Sequence, residues 1–205
     1  MTDWPGLLRA ERAALMRTLE SLTDQEFDAA PTLCAGWAPR DILAHVVGLE
    51  RMWRYYLGPG GLTVDRGNAW MVRDGRRLTR AELTSLGWRA ARSPSRTSRT
   101  MAWLLAGDTA MHHQDVLRGL GRHREIPPGA SRALFREGTI WSWPFGAKLL
   151  RYRVEPTTPG GRPRGRGRPV RGTTEALALW LAGRDSVAAE LDFPITGGAH
   201  RHDHR

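Results

Sequence analysis

Three side chains in this sequence have the types and spacing of a divalent metal site. Asp108 and His112 are four residues apart in a segment with helical periodicity, so they lie one turn apart on one helix face. His45 lies in a second, apolar helical segment, where its side chain is expected to point into the core or to its edge. Two imidazoles and a carboxylate are a common ligand set for Zn²⁺, the default metal here, and Ni, Mn or Fe accept the same ligand types.

Each of these residues also has an interpretation that involves no metal. A single histidine in an apolar helix, such as His45, is more often a core residue than a ligand. The spacing of Asp108 and His112 also arises by chance on exposed helices, and spacing alone does not show that two helices meet. The residues by themselves therefore leave both interpretations open.

Asp115 and Cys34 are further candidates near this set. Asp115 follows His112 by three residues, so its carboxylate could accept the second ring N–H of a metal-bound imidazole. The alternative is a surface carboxylate paired with Arg118 or Arg122. Cys34 is the single cysteine, which excludes an intramolecular disulfide and a thiolate-rich metal site. We expect Cys34 to pack in the fold rather than to act as a nucleophile.

Apolar residues at helical spacing predict the elements that must carry these side chains. The predicted helices cover residues 5–22, 39–57, 80–91, 100–119 and 127–141. Pro39 suits the first turn of the second helix, and a polar, arginine-rich connector is expected after Gly61. The sequence therefore predicts a bundle of four or five helices.

The character of the sequence changes after residue 147. Residues 149–156 alternate like a strand, the next stretch is too irregular for a helix or a strand, and residues 170–184 have a clear helical pattern. The predicted divisions are a helical bundle over 1–147, a small C-terminal α/β part over 148–195 and a disordered tail over 196–205.

The charge balance is strongly basic, with 31 basic and 21 acidic residues and a net charge of +10. All basic residues except Lys148 are arginines, which is typical of GC-rich codon usage. Five arginines lie within residues 162–171. Since no aromatic side chains are interleaved with them, we expect a flexible solvated loop, and contact with a polyanion is the alternative.

Neither a membrane span nor a secretory signal is predicted. No apolar run approaches the roughly 20 residues that a membrane helix needs. The N-terminal residues carry charge within their first turns and contain no uninterrupted apolar stretch, unlike a signal peptide. A cytoplasmic location is therefore expected.

Two segments resemble the signatures of a known family. CAGWAPRDILAHVVGLE is similar to a Cys-Pro-Gly-Trp segment followed by a helix with Ala-His, and GDTAMHHQDVLRGLG to an acidic-x-x-x-His-x-x-Asp segment that closes on Leu-Gly. Both patterns belong to the DinB-like, mycothiol-dependent maleylpyruvate isomerase family of actinobacteria. VRGTTEALALWLAGR resembles the C-terminal segment of the same family. The resemblance covers most of the chain and is weakest over residues 58–98 and in the arginine-rich stretch.

The resemblance implies a fold and a set of site residues. The fold would be mainly α, a DinB-like up-and-down bundle of four to five helices with a small C-terminal α/β appendage. His45 and His112 would be metal ligands, and Asp108 would stand where the family usually has glutamate. Because aspartate is one methylene shorter, the site would be tighter or would include a water. Arg184 matches the Gly-Arg that ends the family's C-terminal segment, and it would bind a substrate carboxylate. The alternative role for Arg184 is that of a cation at a helix C-terminus, where the helix dipole favours positive charge.

The function implied is that of a metal- and mycothiol-dependent transferase or isomerase. The thiol would be the co-substrate, and the partner substrate would be a small electrophile. One alternative is a metal-binding module without catalysis, since a fold can keep a site and lose its chemistry. The other is a polyanion binder that uses residues 162–171. Nucleic acid and membrane are not expected partners, and several tryptophans on helices leave room for a homodimer face.

Overall fold

The chain divides into two compact units, Met1–Glu137 and Gly138–Arg205. A computed structural model describes residues 2–58, 63–142 and 147–194. The first unit is helical, and the second combines helices with a small sheet. The domain boundary predicted at residue 147 stays a prediction, and the tail predicted to be disordered over 196–205 lies outside the described residues.

The first unit is helical, and capping side chains mark the starts of several of its helices. These helices are α1 (Trp4–Glu20), α2 (Asp24–Ala29), α3 (Pro39–Gly48), α4 (Met52–Tyr56), α5 (Val64–Gly75), α6 (Arg80–Arg92), α7 (Arg96–Thr100), α8 (Ala102–Gly119) and α9 (Pro128–Trp141), the last of which continues into the second unit. Thr23 with Glu26, and Thr79 with Glu82, form capping boxes at the starts of α2 and α6. Pro39 occupies the first turn of α3, as its sequence position predicts.

Two features of the helical unit differ from the sequence prediction. The stretch predicted as a polar connector contains α5, which Thr63 caps and which buries Met71 and Val72. The single helix predicted over 39–57 is divided by a 3₁₀ turn at Leu49–Arg51. In both places, packing against neighbouring helices decides a conformation that local helical periodicity leaves undetermined.

The core lies between α1, α3, α6 and α8. Helix α1 packs on α6 and α8, and α3 packs on α5 and α6. The fully buried apolar side chains of this core include Leu15, Leu19, Phe27, Ile42, Leu43, Leu83 and Val116. His45 is on α3 beside Ala44 and Val46, which are both buried, so its ring is held by the packed core.

The loop before α3 lies directly on the end of α8. A Cβ atom at Gly119 would lie 2.2 Å from Pro31 O and 2.6 Å from the Cα of Thr32. The backbone amide of Leu33 also donates to Asp115 O at 3.1 Å. This close approach requires glycine at position 119 and fixes the position of the loop.

Replacing Gly119 with alanine is therefore expected to lower the free energy of unfolding by about 1–3 kcal/mol, because backbone must move to admit the methyl group. Urea denaturation measures this change. Gly129→Ala is the matched control, since a Cβ there would meet only Leu7 at 3.6 Å and alanine favours helix. Equal stability of the two variants would contradict the proposed close packing.

The second unit contains a small mixed sheet. Its elements are α10 (Lys148–Arg151), β1 (Tyr152–Pro156), β2 (Arg164–Gly165), β3 (Arg168–Gly172), α11 (Thr174–Leu181) and a 3₁₀ turn at Asp185–Glu190. The strand order is β2-β1-β3, with β2 antiparallel and β3 parallel to β1. Val154 and Val170 are paired across β1 and β3 and are both buried.

The prediction that the arginine-rich stretch lacks regular structure was wrong for part of it. Residues 164–165 and 168–172 form β2 and β3. Gly165 and Gly167 have φ values of +84° and +90°, and a Cβ at either position would lie within 2.4 Å of a backbone oxygen. Glycine at these two positions lets the chain turn tightly against β1, which the composition alone does not reveal.

The mainly α fold with a small C-terminal α/β part agrees with the fold class predicted from the sequence. Among residues 2–58, 63–142 and 147–194, no helix combines the length and the apolar character that crossing a membrane requires.

Candidate metal centre

The three predicted ligand side chains lie together, where α3 faces α8. His45 projects from α3, and Asp108 and His112 project from successive turns of α8. Asp108 Oδ1 lies 3.5 Å from His45 Nε2 and 3.6 Å from His112 Nε2. One donor atom from each residue falls within 4.8 Å of the others. The two histidines are buried, and the Asp108 side chain is 15% exposed.

These distances fit a small divalent ion. Zinc bonds to imidazole nitrogen and carboxylate oxygen are about 2.0–2.1 Å long, so tetrahedral ligand atoms lie about 3.4 Å apart. The two separations from Asp108 to the imidazoles are close to this value. They also exceed a normal N–H···O hydrogen bond. The donor types and the two separations from Asp108 are therefore compatible with a divalent ion held by two imidazoles and a carboxylate.

Asp115 determines which nitrogen of His112 can face such an ion. His112 Nδ1 lies 3.0 Å from Asp115 Oδ2, and the Asp115 side chain is completely buried. A carboxylate accepts, so Nδ1 is the nitrogen that donates to Asp115, and Nε2, which faces Asp108, is the nitrogen available to an ion. This burial argues against a surface carboxylate at Asp115, and Arg122, one of its two suggested partners, pairs with Glu26 at 2.9 Å.

Trp37 and Cys34, for the second of which only a packing role was expected, also lie at this centre. The Trp37 ring is stacked on His112, with centroids 5.7 Å apart, and is tilted against His45 at 5.4 Å. Cys34 offers its sulfur within 4.8 Å of donor atoms of His112 and Asp115. The signal in the sequence was the CAGW tetrapeptide directly before the helix of His45. Its loop is brought to the centre by its contacts with the end of α8.

The negative charge of Asp108 acts on the half-buried Tyr56 and on the buried Arg12. Burial, reinforced by the negative charge of Asp108, raises the pKa of Tyr56, whose hydroxyl donates to Asn68 Oδ1 at 2.7 Å. Burial lowers the pKa of Arg12, whereas Glu50 and, more weakly, Asp108 oppose this shift. Tyr56 therefore stays a neutral phenol, and Arg12 places a positive charge in the electrostatic surroundings of the centre.

His113 has a structural position distinct from that of His112. It is 1% exposed, and its Nε2 lies 2.8 Å from Thr18 Oγ1 on α1. Burial, with the nearby charges of Arg124 and Arg17, lowers the pKa of His113 to about 3. The ring is therefore neutral at physiological pH, and it lies between helices as a polar packing residue.

The depressed pKa of His113 predicts a loss of stability in acid. The ordinary value is 6.5, so from pH 6.5 down to about 3 the unfolded chain binds a proton that the folded chain does not. As the pH is lowered through this range, His113 should therefore decrease the free energy of unfolding by up to about 1.4 kcal/mol per pH unit. Urea denaturation at pH 7, 6 and 5 in the presence of a chelator measures it. His113→Gln should flatten the dependence, whereas the exposed His123→Gln should not.

Arg184 lies in the second unit, after α11. Its guanidinium donates to Ala182 O at 2.9 Å, and Gly183 before it has a φ of +89°. The side chain thus lies at the end of a helix, where a cation is favoured by the helix dipole. Its proposed contact with a substrate carboxylate stays a prediction.

Comparisons with known proteins agree with these observations. Residues 8–86 match the family model described as the mycothiol maleylpyruvate isomerase N-terminal domain. None of the curated proteins compared with the chain is significantly similar to it in sequence.

Two solved structures have a similar fold. One is a mutant of the mycothiol-dependent maleylpyruvate isomerase, with a TM-score of 0.58 and 17% identity, and the other is the same enzyme without that mutation, with a TM-score of 0.54 and 18% identity. Each alignment covers 90% of this chain and 92% of the other. Residues 8–86 therefore match the mycothiol maleylpyruvate isomerase N-terminal domain, and the chain has the fold of the two maleylpyruvate isomerase structures.

Proposed function

We propose that this protein is a metal- and thiol-dependent transferase or isomerase that acts on a small electrophile. The observation that carries the proposal is the group of His45, Asp108 and His112, whose donor atoms lie within 4.8 Å of one another. The ion would be Zn²⁺ in the first place, with Ni, Mn or Fe as alternatives of similar ligand preference. The thiol would be mycothiol, as the names of the two structural neighbours suggest.

A bound ion would supply Lewis acidity and would lower the pKa of a thiol or water at its open position. The protein's own residues would then have separate tasks. His45, His112 and Asp108 would hold the ion, and Asp115 would keep the proton on His112 Nδ1 so that Nε2 remains a ligand. Trp37 would limit the movement of both imidazole rings by its contacts with them.

Arg184 is proposed to bind a carboxylate of the substrate through its two-pronged guanidinium.

The second function considered, a metal-binding module without catalysis, differs from the first only in lacking turnover. Polyanion binding through residues 162–171 is a weaker candidate. It is favoured only by the exposure of Arg162, Arg164, Arg166 and Arg168. Its sign would be retention on nucleic acid that falls steeply with salt. The homodimer also remains a prediction.

The test is the metal content of untagged protein that ends before its three C-terminal histidines. We expect about one equivalent of a divalent metal per chain, as three convergent ligands imply, and its loss in His45→Ala and in His112→Ala. The exposed His123→Ala is the matched control and should retain the metal. A native protein that binds no metal even after reconstitution would overturn the proposal.

The same four proteins are then assayed for mycothiol-dependent conversion of maleylpyruvate and related small electrophiles. Turnover that needs both the thiol and the metal would support the enzyme. Stoichiometric metal without turnover on any such compound would instead favour the non-catalytic module.

A further inference from the structure

A cavity of about 450 Å³ lies in the first unit between α3, α5 and α6. This volume is within the range of about 300–1,000 Å³ that is typical of small-molecule sites. His45, Asp108 and His112 are not among its lining residues. The cavity is therefore separate from the candidate metal centre, and the function proposed above does not use it.

The walls of the cavity are mostly apolar. Val47 from α3, Leu78 after α5, and Leu83 and Leu86 from α6 line it. Glycine at position 48 allows Met71 to pack directly on α3, since a Cβ there would lie 2.5 Å from the Met71 side chain. This close contact joins α3 and α5 along one wall. An apolar body placed in the cavity would be removed from water, which is the main source of affinity in such sites.

The two acidic residues that line the cavity are already engaged. Glu50 accepts hydrogen bonds from Arg12 and from the hydroxyl of Ser98 at 2.6 Å. Asp74 accepts from the Tyr55 hydroxyl at 3.3 Å and pairs with Arg73 at 3.4 Å. Their negative charges are thus compensated within the protein and do not set the charge preference of the cavity.

Two lining arginines, by contrast, are exposed and lack such compensation. Arg51, in the 3₁₀ turn that follows α3, and Arg89, on α6, both line the cavity. Within the described part of the chain, neither forms an ion pair with an acidic side chain. Both arginines therefore line the cavity and are open to solvent, whereas most of its other walls are apolar. Guanidinium groups bind carboxylates through charge-assisted, often two-pronged hydrogen bonds.

We propose that this cavity binds a small amphipathic carboxylate, with its apolar body against Val47, Leu83 and Leu86 and its carboxylate at Arg51 and Arg89. The apolar body could be an alkyl chain or an aromatic ring, because both match the walls. Binding does not depend on the metal, and it involves no covalent step.

The test measures binding of octanoate, 3-phenylpropanoate and the uncharged 1-octanol to the full chain by isothermal titration calorimetry and by amide chemical shifts. We expect saturable binding of one carboxylate per chain and at least about tenfold weaker binding of octanol, since the charge-assisted contacts are lost. Tighter binding of octanoate would identify an alkyl ligand, and tighter binding of 3-phenylpropanoate an aromatic one.

Variants locate the site. Arg51→Gln with Arg89→Gln should weaken carboxylate binding about tenfold or more without unfolding the chain, because both side chains are exposed. The matched pair Arg66→Gln with Arg99→Gln, which is exposed but does not line the cavity, should leave binding unchanged. Val47→Trp should fill the cavity and abolish binding. Absence of saturable binding, equal affinity for octanol, or equal loss in both arginine pairs would overturn the proposal.

Discussion

Replacing Arg12 with methionine is expected to lower the free energy of unfolding by about 3 kcal/mol. The Arg12 side chain is 1% exposed, and its guanidinium forms an ion pair with Glu50 and donates to Ala90 O at 3.0 Å. Methionine fills a similar space but leaves the carboxylate of Glu50 without its cation. Because that carboxylate is largely removed from water, its lost partner dominates the cost.

Urea denaturation monitored by tryptophan fluorescence measures this effect. The matched control is Arg9→Met, an exposed arginine on the same helix, which should change stability by less than about 0.5 kcal/mol. The double variant Arg12→Met with Glu50→Gln should recover part of the loss, since no charge is then left unpaired. A single Arg12 variant as stable as the Arg9 control would contradict a buried ion pair.

Arg12 also shows what the sequence could not reveal about this fold. It lies in an amphipathic helix, where an arginine is normally expected on the solvent face. Its partner Glu50 is 38 residues away, in the 3₁₀ turn after α3. Nothing in the local pattern of either helix indicates the pairing, which depends on how α1 and α3 pack in the core.

The helices were predictable where apolar periodicity was strong. Helices α3 and α8 lie within predicted segments, and α1 and α6 each extend one residue beyond theirs, because each of the four buries one apolar stripe. Helix α5 was missed because Gly67 and Asn68 weaken its helical propensity, and its few apolar residues gain their burial from α3. Strands β2 and β3 were missed because their pairing depends on the register with β1, which is a non-local property.

The candidate metal centre was predictable only in part. The spacing of Asp108 and His112 on one helix is a local property that sequence shows directly. The meeting of α3 with α8 is not local, and it entered the prediction through the resemblance to a family. Trp37 and Cys34 reach the centre because their loop lies on Gly119. The position of a loop cannot be predicted from periodicity, since loops have no repeating apolar pattern.

Replacing Asp115 with alanine is expected to lower the affinity of the centre for Zn²⁺ by about 10–100-fold, if the ion binds as proposed. The carboxylate accepts the Nδ1–H of His112 at 3.0 Å from a fully buried position. Without it, the His112 ring can rotate or place its proton on Nε2, and both changes remove a ligand. Competition with a fluorescent zinc chelator measures the affinity directly and needs no knowledge of the substrate.

Two further variants separate this role from a general effect on α8. Asp115→Asn keeps an acceptor oxygen without the negative charge, so its loss of affinity should be smaller than that of Asp115→Ala. Thr109→Ala removes a buried hydroxyl that donates within α8, to Leu105 O at 2.8 Å, and should leave zinc affinity unchanged. If Asp115→Ala, while folded, bound zinc as tightly as the native protein, Asp115 would have no part in orienting His112. If Thr109→Ala lost affinity equally, helix stability rather than the hydrogen bond would explain the effect.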